Sequence, residues 1–370
     1  MVKRVVVAFD SFKGSLSARE ANSAFARGLR DVAPDVDVIS VPLSDGGEGF
    51  AECVDGERVE VEVSDPLGRR TVAHYTLRGD TAIIALASAS GLTLLAAEER
   101  KPLVASTYGT GELVIDAARR GCRKILLGLG GSATNDGGAG LLRALGFRFM
   151  NDAGEELTTT IDILERTTYI IGDVSALGDV ELAVAVDVDN PLCGARGAAE
   201  VYARQKGASE DGVLRLERAM QRFAAVVARH VGADHSAEYG MGAAGGAAFG
   251  LRTLLAACPT SGIELILGAV GFDALLRDAC LVVTGEGRVD AQTTMGKAPS
   301  GVLHHAQHAN VPCVAVGGSV TPCAELDAAG FAAIYAATPA TMPLADAMQC
   351  DTATANLRDI GRSIARKYVL

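Results

Sequence analysis

Two aspartates, Asp187 and Asp189, stand two residues apart directly after the apolar run ELAVAV. In an extended segment, side chains two positions apart point to the same side. The pair could therefore share a magnesium ion or take a proton from an alcohol. The structural alternative is that one of them only caps the turn at Asn190-Pro191. Lys206 follows downstream as a possible anion partner.

A glycine-rich segment, LGLGGSATNDGGAG at residues 127–140, overlaps the end of the apolar run KILLGL. Because glycine has no Cβ, the backbone can approach phosphate oxygens closely and its N–H groups can surround an anion. The polar side chains available to a ligand are Ser132, Thr134, Asn135 and Asp136. A purely structural loop rarely needs so many glycines beside so many polar groups, so we expect a binding loop here.

Two segments near the start of the chain also combine charge with glycine. In DSFKGS, Asp10, Ser11 and Lys13 could hold a phosphate or carboxylate at the positive end of a following helix. In DGGEG, Asp45 and Glu48 are three residues apart and share a face if the segment is helical, where they could bind substrate hydroxyls or a divalent ion. The structural alternatives are an ordinary capped turn with a solvated lysine and a surface turn.

The segment TGEGRVDAQTTMGK, residues 284–297, follows the apolar run CLVVT and is predicted to be rich in turns. It contains Glu286, Arg288 and Asp290, a mixture of acids for metal or hydroxyl groups and of cations for phosphate. That mixture is typical of a nucleotide or sugar-acid site. A surface loop of mixed charge is the alternative.

Several well-known catalytic motifs are missing from the sequence. His304 and His308 have the spacing of a zinc-protease pair, but His305 occupies the position of the required glutamate, so we expect exposed helix histidines. The sequence has neither the GxSxG nucleophile motif nor the GxxxxGK[ST] phosphate loop. These absences disfavour metalloprotease, serine hydrolase and P-loop classes.

The composition is that of a large, acidic, globular protein. Of 370 residues, 49% are hydrophobic and 21% are charged, which excludes disordered and fibrous classes. The net charge of -11 disfavours nucleic-acid and anionic-membrane partners, so any phosphate must be held locally. The eight cysteines form no CxxC pair, which predicts neither a zinc ribbon nor a disulfide scaffold. With no apolar stretch of ~18–20 residues and no signal peptide, we expect a cytoplasmic protein.

The elements that must position these residues are predicted to form an α/β fold. Short β-branched runs alternate with amphipathic helical stretches, and each run leads into Gly, Asp, Ser or Asn. In open α/β sheets, ligands bind at the carboxyl ends of the strands. Ser17 and Glu20 predict a capping box before the first helix, and the last helix is predicted over about 352–367. Alternation between 57 and 86 predicts antiparallel or mixed strands.

Taken in order, the polar segments resemble the bacterial glycerate kinase family that lacks a P-loop. The blocks that carry the resemblance are DSFKGSLSA at 10–18, PLSDGGEG at 42–49, STYGTGEL at 106–113, GLGGSATNDGGAG at 128–140, DVDNPLCG at 187–194, QKGA at 205–208, GMGAAGG at 240–246 and TGEGRVDAQTTMGK at 284–297. The blocks span nearly the whole chain, and several are long and unusual in composition.

The resemblance implies ATP-dependent phosphorylation of D-glycerate at its 2-hydroxyl, with Mg²⁺. It also implies two α/β domains with the active site in the cleft between them. We expect a flavodoxin-like domain at 61–279, inserted into a discontinuous Rossmann-like domain formed by 1–60 and 280–370. D-glycerate is the expected small-molecule partner, without nucleic acid or membrane, and the chain is expected to be a monomer or a homodimer.

Phosphoryl transfer needs positioning, neutralised charge and exclusion of water, and the predicted site residues are divided among these tasks. Asp189 is our first choice for the catalytic base and Asp187 the second, while Lys13 neutralises charge or holds the glycerate carboxylate. The predicted substrate-binding residues are Asp10, Ser11, Lys13, Asp45, Glu48 and Arg288. The predicted nucleotide-binding residues are Gly130, Gly131, Ser132, Asn135, Asp136, Gly285, Glu286 and Gly287. The predicted magnesium ligands are Asp187, Asp189 and Asp290.

Three alternatives stay open at this point. The product could be 3-phosphoglycerate. Gly128-Leu129-Gly130 after a strand would suit an NAD(P)-dependent hydroxy-acid oxidoreductase, although no strand-end acid follows about 20 residues on. A phosphate or sugar-acid binding module is the non-enzymatic alternative, and it leaves unexplained why acids accompany the glycines in nearly every loop.

Overall fold

The computed structural model describes residues 3–47, 49–173 and 177–370. Its strands are β1 (Arg4–Phe9), β2 (Asp37–Ser40), β3 (Glu57–Ser64), β4 (Arg70–Arg78), β5 (Thr81–Ala85), β6 (Lys124–Gly128), β7 (Arg148–Met150), β8 (Glu156–Leu157), β9 (Tyr169–Ile171), β10 (Glu181–Ala185), β11 (Cys258–Thr260), β12 (Ala279–Val289), β13 (Cys313–Val320) and β14 (Ala333–Ala336). Its α-helices are α1 (Ala18–Val32), α2 (Ala87–Ser90), α3 (Tyr108–Arg119), α4 (Ala139–Ala144), α5 (Thr160–Arg166), α6 (Ala198–Tyr202), α7 (Glu210–Val231), α8 (Ala243–Leu254), α9 (Gly262–Val270), α10 (Phe272–Leu275), α11 (Ala298–His308), α12 (Ala324–Ala329), α13 (Leu344–Ala347) and α14 (Cys350–Ile364). The predicted α/β class is confirmed.

The chain divides into two compact units. Unit 1 comprises Met1–Asp45, Glu52–Val54 and Ile263–Leu370, and unit 2 comprises Gly46–Ala51 and Asp55–Gly262. The assignment of a flavodoxin-like and a Rossmann-like domain stays a prediction.

Unit 1 contains a five-stranded parallel sheet in the order β14-β13-β12-β1-β2. Its strands and helices enclose a core that includes Val5, Val7, Phe9, Phe25 and Leu357. The predicted capping box is confirmed: the Glu20 N–H donates to the Ser17 hydroxyl oxygen at 3.3 Å, and the Ser17 N–H donates to the Glu20 carboxylate at 2.8 Å. The predicted last helix is confirmed as α14, which continues as a π-helical turn over Ala365–Val369.

Unit 2 contains a six-stranded mixed sheet in the order β11-β10-β6-β5-β4-β3. The first four strands are parallel, whereas β4 pairs antiparallel with both β5 and β3. The predicted antiparallel strands between 57 and 86 are therefore confirmed. A small antiparallel sheet, β8-β7-β9, completes the unit. In the part of the chain that the structure describes, no helix combines the length and the apolar character needed to cross a membrane.

The turns predicted over 284–297 are wrong for 284–289, because β12 continues without a break to Val289, and are confirmed for 290–297, which contains the 3-10 turn Ala291–Thr294. Gly285 pairs with Phe9 of β1 on one side and with Val316 of β13 on the other. A Cβ on Gly285 would stand 2.0 Å from the Val316 carbonyl oxygen, so glycine here permits close strand packing. The composition GEGRVD is typical of a turn, but pairing with β1 and β13 holds most of this segment as a strand.

Candidate active site

A loop of unit 2, which we call the Gly-rich loop and define as Gly130–Gly138, follows β6 at its carboxyl end. The Gly130 N–H donates to the Gly46 carbonyl oxygen at 2.9 Å. A Cβ on Gly130 would stand 2.4 Å from the Cα of Gly47, so only glycine fits this contact. Gly131 is the exposed residue at the start of the loop. The structure thus brings part of the predicted DGGEG segment against the Gly-rich loop. Glu48 of that segment lies outside the described residues.

Asp136 fixes the far end of the Gly-rich loop. Its carboxylate is 1% exposed and accepts four hydrogen bonds, two of them from Thr107 and one each from the N–H groups of Gly138 and Gly140. Burial raises the pKa of Asp136, against the effect of these hydrogen bonds. Its carboxylate oxygens thus support the loop, and the predicted contact of Asp136 with a nucleotide stays a prediction.

Lys206 supports the near end of the same loop. Its ammonium group donates to the Ser132 hydroxyl oxygen at 2.8 Å and to the Thr134 carbonyl oxygen at 2.7 Å. The residue is 4% exposed and ends a 3-10 turn, Arg204–Lys206. Because the Ser132 hydroxyl oxygen accepts this bond, its hydrogen is not used by Lys206.

Between these two supports, Asn135 is fully buried, and neither its amide oxygen nor its amide nitrogen has a hydrogen-bond partner. The hydroxyl of the neighbouring Thr134 is also buried and unpartnered. Beside them, Ala244, Gly245 and Gly246 have left-handed backbone angles, and a Cβ on Gly245 would stand 2.0 Å from the Thr134 carbonyl oxygen. Buried polar groups without a partner are rare in native proteins and mark strained or functional sites.

The two strand-end aspartates of unit 2 have different environments. Asp187 is exposed and accepts the Gly262 N–H on its carboxylate at 3.1 Å, and its Oδ2 would lie 3.1 Å from a Cβ on Gly46, the residue whose carbonyl oxygen accepts the Gly130 N–H. Asp189 is exposed and forms an ion pair with Arg196. Their β10 pairs in parallel with β6, so both follow the same sheet edge as the loop.

In unit 1, three predicted acids interact. Asp10 follows β1 and is half-buried, and its carboxylate accepts the Ser11 N–H at 2.5 Å. Burial raises the pKa of Asp10 to about 7, and the negative charges of Asp45 and Glu286 add to the shift. Burial also raises the pKa of Glu286. A carboxyl group with a pKa near neutrality can exchange protons at physiological pH.

Two cations of unit 1, Lys13 and Arg288, are exposed. Lys13 lies in a turn closed by the bond from the Ser15 N–H to the Phe12 carbonyl oxygen, with an exposed side chain. Arg288 pairs with Asp290 at 3.0 Å, and Asp290 caps the 3-10 turn Ala291–Thr294. A short network holds Glu286, which accepts the Thr293 hydroxyl at 2.8 Å and lies 3.6 Å from the Lys297 ammonium.

The predicted magnesium ligands do not form a preorganised cage. Among the residues that the structure describes, no group of three or more His, Cys, Asp or Glu side chains is arranged to hold a metal ion. Asp187, Asp189 and Asp290 each have a local protein partner. Magnesium is often bound by one or two carboxylates together with phosphates and water, and Asp187, at the same sheet edge as the Gly-rich loop, meets that simpler requirement.

Sequence reasoning missed two parts of this site. Thr107 was assigned no role, although its hydroxyl joins Asp136 to the Leu141 N–H. The left-handed run at Ala244 was also missed, since alanine gives no signal of such angles. The GMGAAGG block, rich in glycine, was the available clue to a close approach at this position.

The comparisons with known proteins identify a family. Residues 5–369 match the model of the Glycerate kinase family. The chain belongs to the glycerate kinase family. A relative named glycerate kinase from Bacillus subtilis (strain 168) is 40% identical over 374 residues, which covers 98% of this chain and 97% of the relative. A relative named glycerate 2-kinase from Escherichia coli (strain K12) is 40% identical over 328 residues, which covers 86% of each chain.

A comparison with solved structures indicates the same family. A crystal structure from Salmonella typhimurium LT2 that bears the name glycerate kinase 2 matches with a TM-score of 0.87 and 40% identity, covering 99% of this chain and 98% of that one. As a member of the glycerate kinase family, the chain is a kinase. The oxidoreductase and non-enzymatic alternatives are therefore set aside.

Proposed function

We propose that this protein transfers the γ-phosphoryl group of ATP to the 2-hydroxyl of D-glycerate, with Mg²⁺, and releases 2-phosphoglycerate and ADP. The observation that carries the proposal is the Gly-rich loop, which follows a parallel strand and is held at both ends by the buried charged groups of Lys206 and Asp136. The relative named glycerate 2-kinase supports the 2-hydroxyl as acceptor.

The nucleotide phosphates bind on the Gly-rich loop in this proposal. The exposed Gly131 presents an N–H group, the neighbouring buried Ser132 supplies a hydroxyl, and Gly130 keeps the backbone close to the DGGEG segment. Asn135 lies deeper, and its unpartnered amide completes the polar lining of the loop. Gly285, Glu286 and Gly287 were also assigned to the nucleotide. Because Gly285 is paired in the sheet on both sides, we retain only Glu286, whose carboxylate lies among polar groups.

Magnesium, when bound, offsets negative charge on the phosphates and orients them. Asp187 is the protein ligand that we propose for it, because its carboxylate lies next to Gly46, which contacts Gly130, and follows β10 at the same sheet edge as the Gly-rich loop. Asp189 and Asp290 are less suited, since each pairs with an arginine.

For the acceptor, we propose Asp10 as the base in place of Asp189, our first choice from the sequence. Asp189 forms an exposed ion pair with Arg196, whereas Asp10 is half-buried near two other acids. In the proposed step, the hydroxyl proton of glycerate passes to Asp10. The alkoxide oxygen forms a bond to the γ-phosphorus, and the bond between that phosphorus and the β,γ-bridging oxygen breaks to give ADP. Lys13 and Arg288 are the proposed partners of the glycerate carboxylate.

The choice of base is tested by comparing Asp10→Asn with Asp189→Asn. If Asp10 is the base, Asp10→Asn lowers kcat by about 10²-fold or more while MgATP affinity stays near wild type, and Asp189→Asn retains most of its kcat. The opposite ranking would return the role to Asp189. A thermal-shift comparison tests the ligands: MgATP and D-glycerate should raise the Tm, whereas NAD(H) should not. Stabilisation by NAD(H) alone would contradict the proposal.

A further inference from the structure

The buried ammonium of Lys206 is placed beneath the Gly-rich loop, with only neutral oxygens as its hydrogen-bond partners. Its two acceptors are the Ser132 hydroxyl and the Thr134 carbonyl, at 2.8 and 2.7 Å. Within the described part of the chain, no carboxylate forms an ion pair with it. A buried cation is costly unless a negative charge compensates it.

The charged groups around Lys206 do not supply that compensation. Asp136 is the acid whose charge reaches Lys206, but its oxygens are all taken by Thr107, Gly138 and Gly140. Arg204, in the same 3-10 turn, pairs outward with Glu200 and Glu210. Arg100 packs against Gly207, next in the chain, through its backbone and Cβ, and so supplies no negative charge there.

The loop above Lys206 also has polar groups that lack partners. The Thr134 hydroxyl and both amide atoms of Asn135 are buried and unpartnered. A positive charge without a contacting acid and unpartnered polar groups in the same loop are two separate observations. Both are explained if an anion binds on the loop.

We propose that Lys206 is a positioning residue whose charge is compensated by phosphate bound on the Gly-rich loop, so that nucleotide binding and protonation of Lys206 are coupled. Lys206 acts through its hydrogen bonds to Ser132 and Thr134 and does not itself touch the nucleotide. The inference rests on the proposed placement of ATP phosphates on this loop. It adds that the Lys206 charge stabilises those phosphates.

The coupling has a definite sign. Burial lowers the pKa of Lys206 to about 7, with the nearby Asp136 acting in the opposite direction. A bound polyanion favours the protonated ammonium, so it raises this pKa. Above pH 7 the free protein holds Lys206 largely neutral, and binding must then take up a proton. The affinity for MgATP should therefore fall as pH rises from 7 to 9.

The test is isothermal titration calorimetry of the whole chain with MgATP at pH 8, in two buffers that differ in ionisation enthalpy. At pH 8 the phosphates of MgATP are fully ionised, so proton uptake reports on the protein. We expect the wild type to take up about 0.5 to 1 proton per MgATP, and less at pH 6, where Lys206 is already protonated.

Two variants separate this inference from a merely structural role. Lys206→Met keeps the length of the side chain without the charge; it should bind MgATP about 10- to 100-fold more weakly and take up no proton. Lys206→Arg keeps a permanent charge, because arginine does not titrate in this range, so it should bind MgATP without uptake and with little pH dependence. Thermal melting of each variant confirms that it is folded, and the wild-type uptake at two pH values tests the coupling even if a variant fails to fold.

The possible outcomes are distinct. Uptake by the wild type that is lost in both variants supports the inference. MgATP binding by the wild type without uptake, or equal uptake by Lys206→Met, overturns it and leaves the proposed kinase function standing. A wild type that does not bind MgATP overturns the proposed function itself and this inference with it.

Discussion

The carboxylate Oδ2 of Asp136 accepts both the backbone N–H and the hydroxyl of Thr107, at 2.7 and 2.8 Å, across 29 residues of sequence. The same Thr107 hydroxyl oxygen accepts the N–H of Leu141, in α4, at 2.9 Å. The start of α3, the Gly-rich loop and α4 are thus joined by one buried carboxylate. Rigid support of this kind is what a phosphate-binding loop needs, because phosphoryl transfer depends on accurate positioning.

Asp136→Asn should destabilise the protein by about 2–3 kcal/mol, because the new amide N–H₂ would face buried N–H donors. The measurement is urea unfolding at pH 7. Asp152→Asn, in an exposed turn, is the matched control and should stay within about 0.5 kcal/mol of wild type. Equal stability of the two variants would show that the hydrogen bonds of Asp136 contribute nothing to the free energy of unfolding.

Asp10 should make the protein less stable as pH rises from about 4 to 7. Its folded pKa, near 7, is above its ordinary value of 3.8 because of burial and two acidic neighbours. The native state therefore binds more protons than the unfolded state across that window, and stability falls with rising pH. Asp10→Asn removes the charge, so its Tm should exceed that of wild type at pH 8 and approach it at pH 5.

The same titration should appear in catalysis. If Asp10 accepts the proton, kcat/KM of the wild type falls below pH 7 as the carboxylate becomes protonated. A Tm difference that is the same at pH 5 and 8, with a flat kcat/KM through pH 7, would rule out a raised pKa at Asp10.

Gly130→Ala should damage the Gly-rich loop, because the added Cβ would stand 2.4 Å from the Gly47 Cα. Something in the backbone must move, so we expect lower stability and weaker MgATP binding. Gly268→Ala is the control: Gly268 lies in α9 with open space around its Cβ position, and alanine there should stabilise the helix by about 0.5–1 kcal/mol. Normal MgATP binding and Tm in Gly130→Ala would contradict the close contact.

His305 of α11 should stabilise unit 1 in a pH-dependent manner. Its ring nitrogens lie 2.5 Å from the Asp273 carboxylate and 3.1 Å from the Glu264 carboxylate. Burial lowers the pKa of His305, but these two hydrogen bonds outweigh it and the pKa is raised above 6.5. The stabilisation is complete below pH 6.5 and is lost as pH rises through the folded pKa.

The measurement is the Tm of His305→Gln at pH 6 and pH 9, with a larger loss expected at pH 6. His308→Gln is the control, since the exposed His308 ring bonds to the His304 carbonyl and contacts the His304 ring, both in its own helix. A loss at His305 that does not depend on pH would mean that its carboxylate partners do not hold a charged ring.

The features that could be predicted from sequence were local ones. The capping box at Ser17 and Glu20 depends on residues three apart, and the Gly-rich loop follows a strand that its own short apolar run predicts. The supports of that loop depend on contacts across 29 and 74 residues, which no periodicity reveals. The strand at Gly285 was hidden for a similar reason, because its neighbours β1 and β13 come from distant parts of the chain.

The most direct test of the account is an ADP-release assay with ATP, Mg²⁺ and D-glycerate, followed by NMR spectroscopy of the product. We predict ADP release that requires D-glycerate, with the new phosphate on carbon 2. Phosphate on carbon 3 would contradict the proposed regiochemistry, and no ADP release above the rate without D-glycerate would contradict the proposed reaction.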